Sequence, residues 1–360
     1  MGATDYEHLE LEGDEAGTFF FNDSFEARIE AVQARRGRSG GSFGFQYFDR
    51  DLEAIGAEAF LPPTTTERWA AFALQEVESG PVRWQFGARF ETQDITPASA
   101  SGISPVSHEG FSGSLGLVWD ATDIVSIAAS VARSVKLPAA EELFSDGPHV
   151  ATQAFEIGDP TLDEETGIGL DVSLRWESDH HEGEVTVFRQ DFSDFIFQAF
   201  TGEIEDGFPV VVYSQNDAEF VGVELKSRIE IWAQDQHHVH LRLVGDLVDA
   251  ELDSGENLPR IPPLRLGAGL HYHSEVWNAS LESFWVDDQD DVSTNETPTD
   301  GYTMVHASLG YRFLLRNQII DLLLRGRNLT DEEARTHTSF LKDVAPLPGR
   351  DISLAIKFQF

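Results

Sequence analysis

The stretch "DISLAIKFQF", Asp351 to Phe360, puts Ile352, Leu354, Ile356, Phe358 and Phe360 at every second position, with Ser353, Ala355, Lys357 and Gln359 between them. Side chains of a strand point alternately to opposite faces, so one face here wants an apolar surround and the other tolerates water. The same alternation recurs at Val82, Trp84, Phe86, Ala88 and Phe90, and at Phe111, Gly113, Leu115, Leu117 and Trp119. Further copies run through Ile168, Leu170, Val172, Leu174 and Trp176, through Val221, Val223, Leu225, Ser227, Ile229 and Ile231, and through Leu264, Leu266, Ala268, Leu270 and Tyr272. No comparable length carries helical spacing, so the reading is all-β.

The connections come in two sizes that take turns. Short ones lie near Gly37, at Glu78 to Gly80, Asp120 to Asp123, Ser178 to His181, Ala233 to Gln236, His273 to Glu275 and Leu314 to Gln318. Long ones run from about Asp49 to Thr65, Gln93 to His108, Ser134 to Glu164, Glu251 to Pro259, Asp287 to Asp300 and Asn328 to Gly349. Short loops at one end and long loops at the other describe an antiparallel up-and-down meander, and an outer-membrane barrel has this asymmetry. The count is about 16 strands, most of them able to supply the roughly 9 to 11 residues a tilted transmembrane strand needs. Trp119, Trp176, Trp232, Trp277 and Trp285 fall near strand ends, where an interfacial girdle places aromatics.

Composition narrows the partners. The chain has 360 residues, 41% of them hydrophobic and 11% aromatic, enough for a folded protein. With 25 Lys+Arg against 63 Asp+Glu the formal charge is −38, which argues against nucleic acid and anionic lipid as partners. The absence of Cys excludes thiol catalysis, Cys-based zinc sites and disulfides, and suits an oxidising compartment. No apolar run reaches the roughly 18 residues of a transmembrane helix, a test that is blind to barrels. The opening "MGATDYEHLELEG" lacks the basic and apolar regions of a secretory signal.

Three stretches carry a family resemblance. "RNLTDEEARTHTSFLKDVAPLPGRDISLAIKFQF" (Arg327 to Phe360) is similar to the carboxy-terminal signature of the TonB-dependent receptors, active transporters of the Gram-negative outer membrane. "SVKLPAAEELFSDGPHVATQAFEIGDPTLDEETG" (Ser134 to Gly167) resembles their large mid-barrel loop, and "VVYSQNDAEFVGVEL" (Val211 to Leu225) their Asn-x-x-x-x-x-Gly-x-Glu strand. "EAFLPPTTT" (Glu58 to Thr66) extends the likeness over nearly the whole chain, closest in look to the zinc- and metal-uptake branch.

The resemblance implies a transmembrane β-barrel of a 22-stranded type. Residues 1–360 then read as its carboxy-terminal portion, about 6 strands short and lacking the plug, export signal and TonB-contacting box. It implies a transporter of a scarce metal or metal chelate, zinc or an iron-siderophore, located in the outer membrane, and no enzyme. The implied partners are membrane lipid, the TonB complex through the missing amino-terminal region, and a barrel-insertion machinery that reads the terminal Phe360. No cofactor is expected beyond the carried metal. A passive porin or adhesin barrel, or a soluble β-sandwich, are the competing readings.

Candidate ligands follow from residue type. Glu141, Glu142, Asp146 and His149 lie within nine residues of one loop, and carboxylate plus imidazole is a workable shell for Zn²⁺ or Fe³⁺. The blander reading makes this loop structural, shaped by Pro138, Gly147 and Pro148. His108 and His337 are placed in long loops able to close over a ligand. His180 and His181 lie in a short turn and His237, His238 and His240 just past another, where a transient metal relay competes with solvated histidines as the simpler reading; His271 and His273 share one strand face that could meet a passing cation, with satisfied polar lining the simpler reading. There is no His-Glu-x-x-His, and the acidic stretches Val286 to Thr297 and Asp249 to Leu258 lack ordered Ca²⁺-loop spacing. No P-loop is present, and Gly37 to Gly44 is a turn entering a strand. The sequons at Asn22, Asn295 and Asn328 carry no weight in a bacterial envelope.

Overall fold

The turns of the short-loop end are built by the residues that tolerate positive φ. Gly37 and Gly80 both sit at +63° and Asp235 at +54°, which reverses the chain within a few residues and fixes the register on both sides. In the computed structural model, which describes residues 1–12, 15–56, 59–315 and 318–359, these turns join an antiparallel meander.

Its first seven strands are β1 (Gly2–Glu12), β2 (Glu15–Arg36), β3 (Ser39–Ile55), β4 (Thr64–Ser79), β5 (Val82–Pro97), β6 (Val106–Asp120) and β7 (Val125–Lys136). A long connection follows, holding the one-turn helix α1 (Ala140–Phe144) and a small hairpin, β8 (Asp146–His149) with β9 (Ala154–Ile157). The meander resumes with β10 (Glu165–Glu177), which pairs back onto β7. It continues through β11 (His181–Glu205), β12 (Phe208–Gln234), β13 (His237–Leu252), β14 (Arg265–His273), β15 (Trp277–Val286), β16 (Tyr302–Leu315), β17 (Gln318–Arg327) and β18 (Asp351–Gln359). Each of these strands is antiparallel to its neighbour in sequence. Setting aside β8 and β9, sixteen strands form the wall, the number the alternation implies. Among the described residues, β1 pairs only with β2 and β18 only with β17, so the closing strand has a free edge. Phe360 lies outside the described residues.

Alternation turns one side of the wall apolar and leaves it uncovered. Leu117, Ala129, Val172, Val187, Val223 and Leu247 stand directly opposite one another across six consecutive strands. Among them Val172, Val187, Val223 and Leu247 are 37–50% exposed. Leu309, Leu324 and Leu354 continue the theme across β16 to β18. A soluble sandwich would bury such rows against a second sheet; a membrane barrel gives them to lipid. Trp119, Trp232 and Trp277, 40–45% exposed, rim the short-turn end of this face. There Trp176 donates its indole N–H to His181 Nε2 at 2.9 Å, satisfying the polar handle an interfacial aromatic carries.

The opposite face is charged and paired across strands. Arg175 meets Glu184 at 3.0 Å, Arg265 meets Asp246 at 2.6 Å, and Arg312 meets Asp321 at 2.6 Å. Glycine makes room for aromatics on this wall. A Cβ on Gly222 would stand 2.2 Å from the Phe188 ring and 2.7 Å from the Leu247 carbonyl oxygen, which accounts for the Gly of the Asn-x-x-x-x-x-Gly-x-Glu strand.

Two loop boundaries differ from the sequence reading. Strand β3 runs on to Ile55 and β5 to Pro97, so the connections expected at Asp49 to Thr65 and Gln93 to His108 are shorter and His108 sits inside β6. Cross-strand pairing continues wherever a neighbour supplies it, irrespective of how polar the residues are. Strands β11 and β12, of 25 and 27 residues, similarly rise past the belt and meet at a two-residue turn, Asp206 (φ +50°) and Gly207 (φ +84°).

Candidate ligand site at the long-loop end

The buried apolar core lies at the long-loop end. Ala140, Leu143 and Phe144 of α1 pack with Phe20, Leu52, Phe60, Leu61, Ile95, Leu162 and Ile196 from the surrounding strands and loops. The helix starts because Glu142 turns back to accept the Ala139 N–H at 2.8 Å, the return half of a capping box. Its other oxygen takes Lys136 Nζ at 2.7 Å, and Glu141 takes Arg50 Nη2 at 2.9 Å. The two glutamates therefore hold the helix to the wall.

His149 stacks on Phe60, with ring centroids 4.3 Å apart, and its Nδ1 lies 2.9 Å from Glu156 Oε1. Burial alone would raise the Glu156 carboxyl, but bonds from His149, Thr152 and Tyr213 outweigh it and hold the group below its ordinary value. Asp146 is exposed and bonds through its backbone N–H to the Phe60 carbonyl at 2.6 Å. His108 Nε2 lies 3.1 Å from the Leu162 carbonyl oxygen. Of the sequence candidates only Glu141, Glu142, Asp146 and His149 share a substructure, and their donors are turned to different partners. Among the described residues no group of three or more His, Asp or Glu side chains is arranged to hold a metal ion.

The sixth candidate, His337, is 3% exposed in a different lock. Its Nε2 is 3.2 Å from Glu296 Oε1 and its Nδ1 is 2.9 Å from Thr299 Oγ1. Lys342 Nζ reaches the same Glu296 oxygen at 2.7 Å, and the backbone N–H groups of Ser293 and Arg260 add bonds at 3.1 and 3.0 Å. Burial opposes the Glu296 charge, but these partners, His337 and Lys342 foremost, bring its pKa down to about 2. One carboxylate thus ties the β13–β14, β15–β16 and β17–β18 loops together. The Asn-Leu-Thr-Asp turn has an equally structural role. Buried Asn328 donates to the Glu332 and Pro348 carbonyls at 2.8 and 3.1 Å, and Asp331 receives the Arg350 N–H at 2.9 Å just before β18 begins.

Between these loops and the β8–β9 hairpin lies a cleft of about 410 Å³, lined by Phe200, Phe208, Phe340, Val344, Arg260 and Asn295 among others. Arg260 stacks its guanidinium over Phe340 at 4.2 Å, and its Nη1 is buried with no hydrogen-bond partner. Burial pushes the guanidinium below its ordinary value while Glu296 pulls the other way. A buried guanidinium stays charged, so an unspent N–H beside aromatic rings is suited to an anionic, flat ligand. Sequence reasoning overlooked Arg260, Phe340 and the Glu296–Lys342 pair. The available signal was a lone cation, Arg260, two residues past the acidic stretch Asp249 to Leu258.

The comparisons with known proteins agree with this architecture. The copper transporter OprC superposes with a TM-score of 0.80 at 17% identity, covering 94% of this chain and 56% of that one. The FrpB iron transporter from Neisseria meningitidis (F3-3 variant) gives 0.69 at 11% identity, covering 94% and 55%. The unliganded ferric citrate transporter FecA gives 0.68 at 17% identity, covering 94% and 54%. The chain thus spans slightly more than half the length of these structures, and at such identities they speak to the fold. Residues 4–329 match the family described as TonB dependent receptor-like, beta-barrel, and the chain belongs to that family.

Proposed function

We propose that the chain forms the greater part of the barrel wall and the ligand-capturing loops of an outer-membrane TonB-dependent transporter, and that its cargo is an anionic metal chelate. The observation that carries the cargo class is Arg260, stacked on Phe340 with one buried N–H unspent in a cleft of about 410 Å³. Phe200 and Phe208 offer ring faces, and Asn295 a polar edge, to a ligand of carboxylate or catecholate type. The named neighbours carry copper, iron and ferric citrate, the range within which this proposal falls.

A bare zinc or iron ion is the second reading, carried by Glu141, Glu142, Asp146, His149, His108 and His337. It requires Glu141 to leave Arg50, Glu142 to leave Lys136 and His149 to leave Glu156. On the proposed reading the apolar belt faces membrane lipid, the long loops face outward, and transport draws on the TonB complex. A terminal aromatic at Phe360 serves the barrel-insertion machinery in the same scheme.

The test is binding to the full chain in detergent, followed by tryptophan fluorescence, with ferric tricatecholate, ferric citrate and Zn²⁺ as separate probes. The expected result is saturable binding of a ferric chelate that weakens about tenfold or more in Arg260→Gln, the loss of a hydrogen bond to a charged group. Zn²⁺ binding that is lost on Glu141→Gln or His149→Ala, with no chelate binding, would replace this reading with the second.

A further inference from the structure

Two histidine groups far apart in sequence meet at the short-turn rim, on the charged face of the wall. His180 sits in the β10–β11 turn, His238 and His240 on β13, and His273 at the end of β14. Between them stands Glu230 of β12, directly opposite His240 in the ladder. One carboxylate oxygen is 2.7 Å from His180 Nδ1, and the other is 2.5 Å from His238 Nδ1 and 3.8 Å from His240 Nε2. The His273 ring stacks parallel on both neighbours, with centroids 4.8 Å from His238 and 5.1 Å from His240 at interplanar angles of 10°. Four imidazoles and a carboxylate therefore share one patch drawn from four chain segments.

The hydrogen-bond pattern favours ligation. Arg228 Nη2 lies 3.1 Å from His240 Nε2, and since an arginine can only donate, that nitrogen presents its lone pair. Glu230 supplies the negative charge, and Glu182, 3.4 Å from Arg228 Nη1, gives the guanidinium another partner.

We propose that His180, His238, His240, His273 and Glu230 form a binding site for a borderline first-row dication such as Zn²⁺ or Cu²⁺ at the short-turn end of the lumen. The nitrogens do not already converge on a single metal position. Entry of the ion replaces the protons that His180 and His238 share with Glu230 by metal–ligand bonds, through side-chain rotation on a rigid wall. Each replaced proton moves to the far ring nitrogen or, from an imidazolium, to solvent, so affinity falls as the pH is lowered. The site is separate from the long-loop cleft and does not depend on the cargo carried there.

The test titrates Zn²⁺, and separately Cu²⁺, into the full chain in detergent, with circular dichroism as the check on folding. One ion is expected to bind per chain with ¹⁴N splitting in the Cu²⁺ electron paramagnetic resonance spectrum. His238→Ala with His240→Ala should reduce that splitting and weaken Zn²⁺ by at least about tenfold, and Glu230→Gln should weaken it while keeping the shape of the site. His237 is on the same rim but bonds Tyr272, at 2.7 Å, so His237→Ala should bind as the unaltered chain does. Binding unchanged in both Glu230→Gln and the double variant, or no saturable binding to the unaltered chain, overturns the proposal. Because neither probe is a chelate, failure here leaves the Arg260 result standing, and the reverse also holds.

Discussion

The two ends of this wall solve opposite problems with the same residue types. At the long-loop end a buried glutamate, Glu296, is surrounded by His337, Lys342 and two backbone donors, and every contact serves to hold loops closed. At the short-turn end Glu230 also meets histidines, but beside a turn, where His180 is 73% exposed. Burial commits a charged cluster to structure, because an unpaired charge there is costly, whereas an open cluster can exchange its protons for a ligand.

The strongest way to break this contrast is at Glu296. Glu296→Ala leaves Lys342 and His337 buried without their anion and should cost about 3–5 kcal/mol of loop closure. Hydrogen exchange and limited proteolysis should show opening confined to the three tied loops, with the wall strands still protected. Acid should reproduce it. The folded pKa of about 2 lies below the ordinary carboxylate value near 4.5, so the stabilisation is complete above pH 4.5 and is lost as the pH falls towards 2. If proteolysis of these loops is the same at pH 7 and pH 2.5, Glu296 is not the lock.

Between the ends lies the belt. Placing a charge in its middle by Val223→Arg should cost about 2–4 kcal/mol in unfolding from phospholipid vesicles, the midplane cost for an outward-facing arginine. Glu224→Arg, one residue along on the charged face, should change stability far less. Equal effects would mean that the exposed apolar rows are not the lipid face.

A smaller loss is expected at the Asn-Leu-Thr-Asp turn. Asn328→Ala orphans the Glu332 N–H and the Pro348 carbonyl, and about 1–3 kcal/mol of local stability should go with them. The readout is faster amide exchange at the start of β18, and unchanged exchange there would count against a structural role. The smallest effect belongs to the short turns. Gly80→Ala keeps open space around the new methyl but strains a φ of +63°, for about 1 kcal/mol or less in equilibrium unfolding. A loss as large as that of Glu296→Ala would show that the tight turns, rather than the loop lock, are the fragile end.

Much of this was legible in the residues. Strands such as Ile168 to Trp176 announce themselves because the pleat repeats every two residues, and Gly or Asp at the turns fixes where each one ends. The outward face of β18 was readable for the same reason. The site was less legible. Glu141 and Glu142 look like metal ligands in the sequence, but Arg50, the partner of Glu141, lies 91 residues away. Loop lengths misled as well, since β3 and β5 continue to Ile55 and Pro97 on cross-strand bonds that leave no mark in hydropathy.

What the sequence determined by itself was the all-β wall, its two unlike faces and its short and long ends, because period and turn chemistry are properties of neighbouring residues. The tertiary structure alone decided that His337 is locked onto Glu296, that Arg260 keeps a free N–H beside Phe340, and that His180 meets His238 across Glu230. Those meetings depend on register and on the lateral order of strands, which bring together side chains that chain connectivity keeps tens of residues apart.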